Sequence, residues 1–369
     1  MTARGMRLLI CATALLSAAA SCGNDSPTSP SGNLTPVVVS TDWPVASVND
    51  AGLDADRLRD LLMRIRRGDY GHITSLLIAR NGSLAVEEYF DGFSGGSRHT
   101  MQSVTKSVTS LLIGLASDRG RLRLEDPATQ FFPSYAPIAN LDSRKAALTV
   151  GDLLSMRSGF DWNESTYSGS PLQGMNDCGC DWLRWVLDWR MRDVPGGRWE
   201  YISGNTILLG GIVGAASGQR MDLFAASELF EPLGISDVFW FRGLPDGLPH
   251  SGGGLNMRPR DMIKLGQMVL DDGRWRGRQV VSSAWIRQST ARVQPNAAVW
   301  SGHSFDYAYG WWLTPSSFGD VITASGARGQ FIFVVPGAKL VVTMTGENND
   351  GLWVSGISTL FSHVLPGVR

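Results

Sequence analysis

The strand-forming runs of this chain lie near its two ends and leave the middle to helices, a distribution that constrains the fold more than any other feature. Residues 74–80 and 84–90 are apolar runs separated at Asn81-Gly82, a pair that favours tight hairpins because both residues tolerate positive φ. Residues 331–335 and 340–345 repeat the pattern across Pro336-Gly337-Ala338-Lys339, and 307–313 adds another strand-like run. Apolar residues at helical spacing behind Asp54 predict an amphipathic helix over 54–67, and a second is expected over 259–271. A closing helix is expected over 352–364. Between the strand-rich ends, residues 150–156 and 207–216 form the apolar centres of a mostly helical region rich in Gly/Pro loops. The expectation is a mixed α/β (α+β) fold: an antiparallel sheet flanked by helices, with a mostly helical lobe inserted. The sheet lobe takes about residues 41–100 and 255–369, the helical lobe about 101–254.

Ahead of this domain, Arg4 and Arg7 precede an apolar stretch at 8–16 and small residues ending at Cys22, the pattern of a secretory signal. The apolar part is too short to span a bilayer. Residues 1–22 are thus expected to be a signal peptide of lipoprotein type, with a lipid on Cys22 as the only membrane attachment. Ala19 departs from the usual lipobox residue. Residues 23–40, rich in Ser, Thr and Pro, read as a tether, and 41–369 as the folded domain in a periplasmic or cell-envelope location. Export leaves Cys178 and Cys180 as the only cysteines of the mature domain; a bridge between them is geometrically tight, and they make a poor zinc site. The 33 basic and 34 acidic residues balance, with no basic run, so nucleic acid is not an expected partner.

Ser103-Val104-Thr105-Lys106 is an S-x-x-K sequence that opens an apolar run at 108–115. Positions three apart share a helix face, so Lys106 can reach the Ser103 hydroxyl. A serine hydroxyl is a weak nucleophile until a base takes its proton, and an amine can serve only in the neutral form that burial favours. Of the 33 basic residues only four are lysine, namely Lys106, Lys145, Lys264 and Lys339. A chain that uses arginine almost everywhere keeps lysine beside this serine, and arginine cannot be a base. Alone, the motif also fits a solvated lysine on a helix surface.

Pro195-Gly196-Gly197-Arg198-Trp199-Glu200-Tyr201-Ile202-Ser203-Gly204-Asn205 supplies the match that makes a family visible. With Ser103 and Lys106, it resembles the second motif of serine hydrolases of the class C β-lactamase and penicillin-binding-protein superfamily. The resemblance implies that Tyr201 relays the serine proton with Lys106 as base, and that Ser203 and Asn205 help to orient substrate. Class C enzymes have Tyr-x-Asn; here Ser203 stands at the Asn position. Ala324-Ser325-Gly326-Ala327-Arg328 stands where the superfamily carries Lys-Thr-Gly, which implies substrate contacts from Ser325 and Gly326. It also implies an oxyanion hole from the backbone N–H groups of Ser103 and Ala327. Ala324 replaces the lysine, and Arg328 is expected to point away, into solvent or toward an acidic residue. Residues 148–159, 251–257 and 260–266 extend the likeness, which runs from about residue 53 to 364 and is greatest to family VIII esterases and nylon-oligomer hydrolases.

The function implied is hydrolysis of a small-molecule ester or amide through an acyl-enzyme on Ser103, with no metal or organic cofactor required. The alternatives are a penicillin-receptor-like module that is acylated without turnover, and a D,D-peptidase or β-lactamase. Gly92-Phe93-Ser94-Gly95-Gly96 also fits G-x-S-x-G, but the polar, glycine-rich residues after it cannot begin the helix such an elbow needs. Trp162, Trp182, Trp185, Trp189 and Trp199 are expected mostly in core or rim packing, and any that wall the site would favour apolar or aromatic acyl groups.

Overall fold

The computed structural model describes residues 43–244, 247–349 and 351–369. The expected signal segment, Cys22 and the tether lie outside the described residues. The first helix, α1 (Ala55–Arg66), starts where Asp54 accepts hydrogen bonds from the Asp56 and Arg57 N–H groups, and it buries Leu58, Leu61, Leu62 and Ile65. Strands β1 (Ile73–Arg80) and β2 (Ser83–Tyr89) follow, joined through Asn81 at φ 51° and Gly82 at φ 77°. That is the positive-φ pair the sequence called for.

The remaining sheet strands come from the far end of the chain: β3 (Gln294–Trp300), β4 (His303–Tyr307), β5 (Trp312–Ser316), β6 (Gly319–Gly326), β7 (Gln330–Val335) and β8 (Leu340–Gly346). They form one eight-stranded sheet in the order β2-β1-β8-β7-β6-β5-β4-β3, with antiparallel neighbours. Pairing of β1 with β8, from Ile73 opposite Gly346 to Arg80 opposite Leu340, joins the two ends of the chain. The sheet has a core on each face. Leu77 and Ala79 of β1 point into one, and Leu76 and Ile78 into the other, as the two-residue repeat of a strand requires.

The run at 307–313 is not one strand. It breaks into β4 and β5 at a turn where the Ala308 N–H donates to the Trp311 carbonyl and Gly310 takes φ 80°. A Cβ on Gly310 would lie 2.8 Å from the Lys106 carbonyl oxygen, so glycine is needed for this turn to seat against the next helix. That helix, α2 (Val104–Asp118), is buried from Val104 to Ala116. It packs against β6 and β7 and against α3 (Ser203–Ser217), itself buried from Ser203 to Val213. Helices buried on every side belong in a core, and the polar residues they carry need partners there. Helix α4 (Pro259–Leu270) lies against β1, β7 and β8. The closing stretch is helical but irregular, with a regular turn at Ser355–Thr359 followed by a wider one at Leu360–Val364.

Candidate active site

Ser103 caps the start of α2, directly after Gln102, which is held at φ 47°. This tight turn puts the serine at the helix mouth instead of inside the buried cylinder. One turn on, Lys106 is only 3% exposed, and its Nζ donates to Ser103 Oγ at 3.1 Å and to the Gly252 carbonyl at 2.8 Å. The spacing on one helix face delivers the contact that the sequence implied.

Tyr201 enters from the segment before α3. Its ring lies with the centroid 4.9 Å from Lys106 Nζ, stacked on Trp312 at 5.7 Å and edge-on to Tyr307 at 6.2 Å. Burial, and then the nearby Tyr201, raises the Tyr307 hydroxyl well above its ordinary range, so that phenol stays neutral. The backbone on either side of Tyr201 is pinned by Met156: the Glu200 N–H donates to its carbonyl at 2.9 Å and the Ile202 N–H to its Sδ at 3.4 Å.

The end of β6 meets the start of α2 at Gly326. A Cβ there would fall 2.4 Å from the Met101 carbonyl oxygen and 3.1 Å from Ser103 N, so only glycine permits the approach. The next residue, Ala327, borders the cavity that Ser103, Lys106, Tyr201 and Ser203 also line, a cleft of about 570 Å³. Asn205, Ser325 and Gly326 stand off its wall. Asn205 is fully buried with its amide against Met156 Sδ, while Ser325 and Gly326 lie in β6 opposite Phe331 and Gln330.

Several wall residues carried little sequence signal. Glu164 lines the cavity from a loop and accepts hydrogen bonds from Ser203 Oγ at 2.7 Å, Ser203 N at 2.9 Å and Trp162 Nε1 at 2.8 Å. The Ser203 hydroxyl expected to face substrate is thus engaged by protein. His250 also lines the cavity, and burial, followed by the Lys106 charge, pushes its imidazole down to about 4. It is neutral at neutral pH. None of the five tryptophans at 162–199 is on the wall; the large aromatic groups at the mouth are Phe239, Phe241 and Tyr167, each about half exposed.

Ser94, the rival nucleophile, sits in a turn whose hydroxyl contact is Ser97 Oγ at 3.4 Å, with no helix directly after it. Cys178 and Cys180 are disulfide-bonded. Arg328 turns to Glu347, with an ion pair at 3.1 Å, and Ala324 is buried in β6.

The sequence profile of the beta-lactamase family matches residues 72–351, most of the chain. The protein belongs to the beta-lactamase family. The chain is similar to the 6-aminohexanoate-dimer hydrolase of Paenarthrobacter ureafaciens, with 26% identity over 303 residues that span 78% of this chain and 75% of that protein. It is also similar to esterase EstB of Burkholderia gladioli, 28% identical over 178 residues, 45% of each chain. Among solved structures, EstCE1, a hydrolase with promiscuous acyltransferase activity, shares the fold with a TM-score of 0.71 at 16% identity, over 85% of this chain and 100% of that one. In this beta-lactamase-family hydrolase the eight-stranded sheet and the buried α2 are therefore the family scaffold, and Ser103 lies where that scaffold meets the cleft.

Proposed function

We propose that this protein is a serine hydrolase that cleaves a carboxylic ester or amide through an acyl-enzyme on Ser103. Ser103 Oγ attacks the carbonyl carbon as its proton passes to Lys106 and Tyr201. The N–H groups of Ser103 and Ala327 receive the negative charge that develops on the carbonyl oxygen. Collapse of the tetrahedral intermediate releases the alcohol or amine, which takes its proton from the Tyr201–Lys106 pair, and water then cleaves the ester to Ser103.

The observation that carries this reading is the 3.1 Å hydrogen bond from a buried Lys106 to Ser103 Oγ. The other hydrogen-bond partner of this amine is the neutral Gly252 carbonyl. A lysine kept for an ion pair would have an anion beside it. The Tyr201 ring faces the same amine, 4.9 Å from centroid to Nζ. The names of the relatives, one a 6-aminohexanoate-dimer hydrolase and one an esterase, support a hydrolase of this kind. Stopped-flow release of p-nitrophenol from p-nitrophenyl butyrate tests the reading. Sustained turnover after any burst is expected; a single stoichiometric burst with none after it would instead make the protein an acylated receptor.

The leader belongs to the same proposal: export, followed by lipid attachment at Cys22, holds the enzyme at the cell envelope. Cys22→Ala should move the full-length protein from the membrane to the soluble fraction, and its retention in the membrane would contradict lipidation.

A further inference from the structure

We propose that Glu164 is a positioning residue that fixes Tyr201 by clamping the start of α3, an inference that rests on the reading of Tyr201 as the proton relay. Helix α3 begins without a cap of its own, because Ile202 at its N-cap offers no acceptor and its first turn holds no acidic residue. The N–H groups of a first turn need acceptors, and the positive end of the helix favours an anion. Glu164 meets both needs from a distant loop, with Oε2 accepting from Ser203 N and Oε1 from Ser203 Oγ.

The carboxylate is itself anchored. Its Oε2 also accepts from the indole N–H of Trp162, a side chain with no exposed surface. Trp162 can lie against α3 because residue 204 is glycine, where a Cβ would come 3.1 Å from Trp162 Cη2. Trp162, Glu164 and Ser203 therefore form a brace in the wall of the cleft, with Glu164 and Ser203 lining it and Trp162 buried behind. Tyr201 lies between two such fixed points, Glu200 on the Met156 carbonyl and Ser203 on Glu164.

Three of the roughly four acceptor sites of the carboxylate are taken by protein donors, so its main work is geometric. Glutamine can keep that geometry, with its carbonyl oxygen on the two N–H donors and its amide donating to Ser203 Oγ, while it loses the charge. Alanine loses all three bonds.

The test is steady-state kinetics on p-nitrophenyl butyrate for Glu164→Ala and Glu164→Gln, alone and with Tyr201→Phe. Glu164→Ala is expected to lower kcat by about ten- to a hundredfold with KM within about twofold, since misplacement by an ångström has that scale of effect. Glu164→Gln is expected to restore kcat to within about threefold of wild type, and adding Glu164→Ala to Tyr201→Phe should cost less than about twofold, because a brace for an absent phenol has nothing left to position. A Glu164→Gln enzyme as slow as Glu164→Ala, a loss expressed in KM, or the same loss in the Tyr201→Phe background would each overturn the positioning role while leaving Tyr201 as relay. Wild-type activity in Tyr201→Phe would remove the relay, and this inference with it. If Glu164→Ala does not fold, Ser203→Ala, which removes one bond of the same brace, is read by the same criteria.

Discussion

Gly326→Ala tests how closely the sheet must approach the nucleophile. The new methyl group would stand 2.4 Å from the Met101 carbonyl oxygen and 3.1 Å from both Gln102 Cβ and Ser103 N. Met101 is fully buried, and the neighbours are two backbone atoms and a Cβ fixed to the backbone at the tight turn before α2, so no rotamer change relieves the contact. The end of β6 must therefore move away from α2 by about half an ångström or more to restore a tolerable contact. Overpacking of this kind costs about 1–3 kcal/mol in a core, so Tm should fall by a few degrees, about 2–6 °C. In the oxyanion hole proposed for Ser103 and Ala327, the same shift moves one donor out of place, and a donor lost from such a hole costs about 10²–10³ in kcat. Steady-state kinetics and calorimetry on purified Gly326→Ala measure both. Activity within about threefold of wild type would refute the argument that this approach builds the hole, whatever the change in Tm.

Lys106→Arg should be nearly as inactive as Lys106→Ala, because a guanidinium cannot give up its proton, and Tyr201→Phe should lower kcat by about two to four orders of magnitude; near-normal rates in either variant would exclude that residue from proton transfer. His250 is pushed down to about 4 from 6.5 by burial and by Lys106. The unfolded chain thus binds more protons between these values, and stability should fall as pH drops from 7 to 4, by on the order of 3 kcal/mol from this group. His250→Gln should flatten that part of the Tm–pH curve, and parallel curves for the two proteins would contradict it. Nitrocefin should be a far poorer substrate than p-nitrophenyl butyrate, since Arg328 is held by Glu347 and Ala324 offers no cation to a carboxylate whose burial unpaired costs several kcal/mol. If nitrocefin were cleaved as well as the ester, and only that activity were lost in Arg328→Ala, the guanidinium would be the missing cation.

The parts of this protein legible in its sequence are those set by local chemistry. Asn81-Gly82 announces the first hairpin because the turn needs two positive-φ residues, and both take them. The S-x-x-K spacing predicts its own contact because three residues on a helix are less than one turn. Strands β3 and β6 carry weaker signals. Pro295 and Asn296 interrupt the first, and Gly319-Asp320 and Ala324-Ser325-Gly326 give the second small residues where a strand normally shows bulk. Glu164 sits in a polar stretch, 163–169, without any period, and its role arises from contacts with residues almost forty positions away. His250 precedes the glycine run that gives Lys106 a carbonyl, yet nothing local marks that ring as buried in the cleft. The tryptophans at 162–199 pack in the core and its rim, as large apolar residues usually do, whereas phenylalanine and tyrosine line the mouth.

The central claim is that Ser103 carries the acyl group, and covalent trapping tests it most directly. Wild-type protein treated with a fluorophosphonate probe, digested and mapped by mass spectrometry, should carry one adduct, on Ser103, and Ser103→Ala should carry none and hydrolyse no ester. Ser94→Ala should label and turn over as wild type does. An adduct on Ser94, or labelling and turnover that survive in Ser103→Ala, would contradict the account.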